Sequence, residues 1–123
     1  RQQPLAITSG EQIREWNGVY EIAEGIMAAG AHPETRGRIL NIGGGPRASV
    51  RKVASTLFEL AEAPSHLLEI GGRAPRDQDV PELWSDSSEA RTLLELSPPA
   101  PLEESLADTL DWHRRRKAEE NTG

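Results

Sequence analysis

The chain reads as a small mixed α/β domain of about four helices joined by short strands. Three observations carry that reading. Apolar residues recur at spacings of three and four in several stretches, the period of a half-buried helix. Between them lie strand-like runs of at most five residues, bounded by Gly or Pro. The length of 123 residues allows one modest core, since a domain of this size buries about two-thirds of the surface its unfolded chain exposes. At 36% hydrophobic and 28% charged residues, the composition fits an ordinary folded domain better than a disordered or membrane-spanning one. No apolar run approaches the roughly 20 residues of a membrane helix. With no cysteine there is no disulfide framework and no Cys-based metal site. His32, His66 and His113 lie far apart without ligand spacing, so no metal site is expected. The absence of a secretory signal favours a cytoplasmic location, and a first residue of Arg1 rather than Met points to a piece of a longer chain.

Taken in order, residues 4–16 predict a hairpin, with Leu5-Ala6-Ile7 and Gln12-Ile13-Arg14 as arms around Ser9-Gly10. A helix follows, its apolar positions Val19, Ile22, Ala23, Ile26 and Ala29 or Gly30 spaced by three and four and its end set by Pro33. Arg38-Ile39-Leu40-Asn41-Ile42 is a strand candidate running into Gly43-Gly44-Gly45-Pro46. Ser49 is placed to cap a second helix whose buried stripe is Val50, Val53, Ala54, Leu57, Leu60 and Ala61. Pro64 ends it, and residues 66–70 form another strand. The polar stretch 71–85 predicts an ordered loop or short extended piece. Asp86 opens a third helix, with Glu89 three residues on in a capping-box arrangement. After the rigid 97–101 connection, a last helix starts near Leu102 and aligns Leu102, Leu106, Leu110 and His113. Trp16 and Trp112 are expected in the core. The domain is expected to span residues 1–118, with 119–123 as a frayed tail.

Charge excludes one class of partner. A net charge of −6 is wrong for a general nucleic-acid binder, which needs clustered cations on phosphates. The exception, His113-Arg114-Arg115-Arg116-Lys117, closes a helix, where cations complement the macrodipole. Gly43-Gly44-Gly45-Pro46-Arg47-Ala48 satisfies G-x-G-x-x-A, with Glu69 where a ribose-binding acid would sit. Against a dinucleotide site, no further parallel strands follow Glu69, and Pro46 removes an amide that would hold phosphate.

Several stretches in order carry a more specific signal. Gly10-Glu11-Gln12-Ile13-Arg14-Glu15-Trp16 is similar to G-x-Q-x-R-D-[FW], Val19 to Ile26 to V-x-D-V-A-x-G-I, and Ile39-Leu40-Asn41-Ile42-Gly43 to F-N-I-G. Ser49-Val50-Arg51 follows, then Arg76-Asp77-Gln78-Asp79 for R-P-G-D, Asp86-Ser87-Ser88-Glu89-Ala90 for D-x-S-K-A, Leu102 to Leu106, and Asp111-Trp112. Together they resemble the carboxyl-terminal, substrate-binding part of the extended short-chain dehydrogenases/reductases, the NAD-dependent sugar-nucleotide epimerases, dehydratases and reductases. The chain departs from that pattern at Thr8-Ser9, Asn17-Gly18, Gln78 and Glu89.

The resemblance implies a nucleoside-diphosphate sugar as ligand, with Arg14 and Arg76 reaching its diphosphate and the backbone of Ala6 and Ile7 passing its base. A guanidinium suits that task, offering a planar fork of donors at any working pH. The alternative is that Arg14 and Arg76 form ion pairs with Glu15, Asp77 or Asp79. Asp79 and Asp86 read as loop and cap residues. The complete enzymes of the family also carry a Rossmann half with NAD or NADP and a Tyr-x-x-x-Lys pair that moves protons. In this sequence the one tyrosine, Tyr20, is followed four positions later by Glu24, so no such pair and no cofactor site of its own is expected. Two readings follow: a substrate-binding half that binds a Rossmann domain or partner chain, or self-associates as a homo-oligomer, through a formerly covered apolar surface; and a non-catalytic ligand- or protein-binding remnant of the family.

Overall fold

Nine strands and α-helices follow one another in the computed structural model, which describes residues 3–75 and 77–120. They are β1 (Leu5–Ile7), β2 (Ile13–Glu15), α1 (Val19–Ala31), β3 (Arg47–Ser49), α2 (Val50–Leu60), β4 (Leu68–Ile70), β5 (Glu82–Leu83), α3 (Ser88–Leu93) and α4 (Leu102–Glu120). The mixed α/β class and the four helices match the sequence reading. Residues 121–123 of the expected tail lie outside the described residues, and α4 continues through Glu120.

The expected hairpin does not form. β1 instead pairs in parallel with β4, Leu5 opposite Leu68 and Ile7 opposite Ile70. β2 is the centre of a second sheet, antiparallel to β3 and parallel to β5. The cause sits between the two arms. Gly10 takes φ +71° and its carbonyl accepts the Arg51 N–H at 2.9 Å, so the chain is tied to the start of α2 before it can fold back. A Cβ at residue 10 would lie 2.8 Å from the Arg51 nitrogen, a separation that only glycine permits.

The core lies where α2 crosses α4. Val53, Leu102 and Leu106 are buried there, with Trp16, Ala48, Leu57 and Leu60 packed around them. The amphipathic stripe of α2 works as its spacing predicts, and Ser49 caps it, the Oγ accepting the Lys52 N–H at 3.1 Å. Trp16 joins this core and donates its indole N–H to the Ala48 carbonyl at 3.1 Å. Trp112 does not: it is 44% exposed, with Arg116 over its ring. It lies on the outer half of α4, where residues 111–120 are all exposed.

Two further expectations change. Segment 38–42 pairs with no strand among the described residues, and Ile39 is 95% exposed. A strand exists only by its ladder, and no neighbour offers one here. At α3 the capping box is replaced by a local turn. The Asp86 carboxylate takes the Ser88 N–H at 3.1 Å and its hydroxyl at 2.6 Å, while Glu89 turns to Arg38 at 3.1 Å.

Candidate functional site

Alternation along an extended chain puts Gln12 and Arg14 on one face of the segment that contains β2. The connection from β4 to β5 meets that face through its described residue Asp79. At one end it is fastened to the first sheet, where Gly71 N–H donates to the Thr8 carbonyl and Arg73 N–H to the Ile7 carbonyl, both at 3.0 Å. At the other end the Pro81 carbonyl accepts the Ile13 N–H at 2.8 Å, and β5 follows. The loop therefore bridges the two sheets.

Asp79 is the loop's contact with the face of β2. One carboxylate oxygen accepts from Arg14 Nη2 at 2.7 Å, the other from Gln12 Nε2 at 2.8 Å. Arg14 also donates from Nη1 to the Ile13 carbonyl at 2.8 Å. A guanidinium carries five N–H donors, and the others on Arg14 have no partner among the described residues. The pair remains partly open to water, with the Arg14 side chain 25% exposed and that of Asp79 29%.

Of the residues singled out in the sequence, Arg14 stands at this bridge, and its ion-pair partner is Asp79 rather than Glu15 or Asp77. Ala6 and Ile7 lie half-buried in β1. That strand pairs with β4 alone, so its second edge faces no strand among the described residues. Arg76 lies outside the described residues. The sequence offers Asp79 as a loop residue and as one of three candidate ion-pair partners, and it assigns Gln12 no role. The available signal was the two-residue spacing of Gln12 and Arg14, which presents two donors side by side to a single carboxylate.

Glu15 faces the other way. Partial burial opposes its ionisation, but hydrogen bonds from the Asn17 side chain, the Gly44 backbone and both the hydroxyl and the N–H of Ser85 outweigh this and hold its carboxyl below the usual value. The glycine turn is consumed by the same contacts. Gly45 N–H donates to Asn17 Oδ1 at 2.9 Å, Gly44 N–H serves Glu15, and residue 46 is proline. A Cβ on Gly45 would collide with the Trp16 carbonyl. These glycines are demanded by close packing, and the turn's amides do not fit a dinucleotide pyrophosphate.

On the opposite flank, α1 presents apolar side chains outward: Val19 is 74% exposed, Tyr20 73%, Ile26 60% and Met27 73%. Its close inward contact is Gly25, where an added Cβ would meet Ile42 at 2.6 Å. Between the start of α1 and α4 opens a cleft of about 580 Å³ lined by Trp16, Val19, Tyr20, Leu106 and Trp112. No metal-binding cluster occurs among the described residues, and none of their helices is long and apolar enough to cross a membrane.

No protein-family model matches the chain. Over 115 residues it is 31% identical to YtcB of Bacillus subtilis (strain 168), named as an uncharacterized UDP-glucose epimerase, covering 91% of this chain and 35% of that protein. Among solved structures, epimerase Mth375 from Methanothermobacter thermautotrophicus superposes with TM-score 0.76 at 35% identity, covering 94% of this chain and 36% of that one. The UDP-glucuronic acid 4-epimerase of Bacillus cereus, solved with UDP-glucuronic acid and NAD, matches with TM-score 0.73 at 27% identity over 93% of this chain and 36% of its own. The fold is also that of a dTDP-glucose 4,6-dehydratase from Streptomyces venezuelae, with TM-score 0.82 at 24% identity. The chain thus spans about a third of the length of the proteins it matches.

Proposed function

Because this chain belongs with the carboxyl-terminal part of the extended short-chain dehydrogenases/reductases, we propose that it is the substrate-binding portion of an NAD(P)-dependent sugar-nucleotide epimerase, dehydratase or reductase. In this reading it holds a nucleoside-diphosphate sugar, with Arg14 and Arg76 on the diphosphate and the open edge of β1 at Ala6 and Ile7 beside the base. The cofactor, with its hydride chemistry, belongs to a Rossmann half; the residues of this chain bind and orient the substrate.

The observations that carry the reading are the outward apolar face of α1 and the unpaired segment 38–42 with its exposed Ile39. A surface helix ordinarily turns its apolar stripe inward, and a contiguous exposed patch marks a surface that is covered in the working protein. A sheet in the partner half would give 38–42 its ladder, cover Ile39 and let the exposed residues of α1 pack. One observation favours the remnant reading instead: Arg14 already has a carboxylate partner.

Calorimetric titration of the purified chain with UDP and dTDP, alongside Arg14→Ala and Arg76→Ala, tests the proposal. Millimolar or tighter binding, weakened at least about tenfold by each substitution, is expected for lost charge-assisted hydrogen bonds. No binding to either nucleotide would overturn the substrate-binding reading in favour of the remnant. Sedimentation of the chain against Met27→Glu tests the partner surface, since the uncovered face should drive association that the charge suppresses.

A further inference from the structure

We propose that Asp79 is a positioning residue for Arg14, holding its guanidinium in one orientation with the remaining N–H donors open to a diphosphate. The inference rests on the substrate-binding reading and adds a residue to that site.

The geometry is that of a built support. Both oxygens of one carboxylate are used, one on Arg14 at 2.7 Å and one on Gln12 at 2.8 Å. Gln12 is itself anchored, its Nε2 also lying 3.3 Å from Thr8 Oγ1. The loop that carries Asp79 is tied to backbone at both ends, through Arg73 to Ile7 and through Pro81 to Ile13. An arginine held in this way loses its rotamer freedom on folding rather than on binding, so ligand capture costs less entropy.

The opposing effect is charge. Asp79 neutralises part of the attraction that Arg14 offers a phosphate and repels the phosphate itself. Which effect wins depends on solvent. With both side chains about a quarter exposed, water and salt screen the repulsion. Orientation is set by direct hydrogen bonds at 2.7 and 2.8 Å, which screening weakens less than a longer-range repulsion. The balance therefore falls to positioning, and removal of Asp79 should weaken binding although it removes a like charge.

Two measurements on the intact chain decide the matter: calorimetry with UDP, and the Arg14 Nε–H signal in a spectrum with labelled arginine. Asp79→Ala is expected to weaken UDP binding about tenfold and to move the Arg14 signal to that of a free arginine, with thermal unfolding checking that the variant folds. Asp79→Asn, which keeps one acceptor oxygen, should fall between. Equal or tighter UDP binding by Asp79→Ala would overturn the proposal, as would an Arg14 signal already mobile in the parent chain. If the parent chain binds neither UDP nor dTDP while its Arg14 signal is ordered and is lost in Asp79→Ala, positioning of the guanidinium stands and the substrate reading falls.

Discussion

The α2/α4 side of the molecule and the α1 side differ in how far each meets its own needs. On the first, Val53, Leu102 and Leu106 are buried with Trp16, Leu57 and Leu60 around them. On the second, α1 buries only Gly25 and leaves Val19, Tyr20, Ile26 and Met27 in water beside an unpaired strand segment. One helix pair packs against residues of this chain, while the other flank leaves large apolar side chains exposed. A paired truncation probes this difference most strongly. Leu106→Ala should cost about 2–5 kcal/mol, the range for cavities at well-packed sites. Ile26→Ala, at an exposed position, should stay within about 0.5 kcal/mol at protein concentrations low enough to keep the chain monomeric. Denaturant midpoints measure both, and a large loss at Ile26 that emerges at higher concentration would mean that α1 has a partner through self-association.

The glycines repeat the comparison at smaller scale. Gly45 sits where a Cβ would collide with the Trp16 carbonyl, so Gly45→Ala should cost about 1–3 kcal/mol as the turn is forced off β2. Gly30, on the exposed end of α1, has nothing within 4 Å of an added Cβ. There Gly30→Ala should stabilise by about 0.5–1 kcal/mol through helix propensity. Thermal unfolding of the two variants should therefore shift in opposite directions.

What the sequence made legible follows the same division. The stripe and the Ser49 cap of α2 were readable because spacing and capping are local and their packing partners lie within these residues. The 38–42 strand and the face of α1 were readable as patterns, yet a pattern states what an element suits, and neither a ladder nor a cover for them occurs among the described residues. The hairpin was misread for a different reason: the close approach of Gly10 to Arg51 is a tertiary contact that no turn signature announces. At the candidate site Arg14 was visible as a motif and Asp79 as one of three candidate partners, whereas the choice of Asp79, across 65 positions, and its second bond to Gln12 needed the fold.

The packed side also carries a flaw. Thr56 is 3% exposed on α2 and its hydroxyl has no hydrogen-bond partner among the described residues. Thr56→Val keeps the shape and removes the buried polar atom, so it should stabilise the chain by about 1 kcal/mol. A destabilised variant would show that the hydroxyl is satisfied in solution.

The smallest expected effect lies at the seam between the two sides. Glu15 extends from β2, at the edge of the packed core, to Ser85, Asn17 and the glycine turn, and those hydrogen bonds hold its carboxyl below the usual range against the opposing effect of burial. A carboxylate with a folded pKa below its unfolded one adds stability that is complete above the unfolded value and is lost as pH falls through the folded value. The parent chain should therefore exceed Glu15→Gln in stability near pH 7, and the gap should close as the pH falls through the lowered folded value and the carboxylate is protonated. Exposure of the group keeps the effect modest. Urea midpoints of the two proteins across that range give the sign directly. A gap that persists in acid would mean that Glu15 holds the seam by shape and neutral hydrogen bonds; one that closes would mean that the ionised carboxylate joins the packed half to the turn beside the open one.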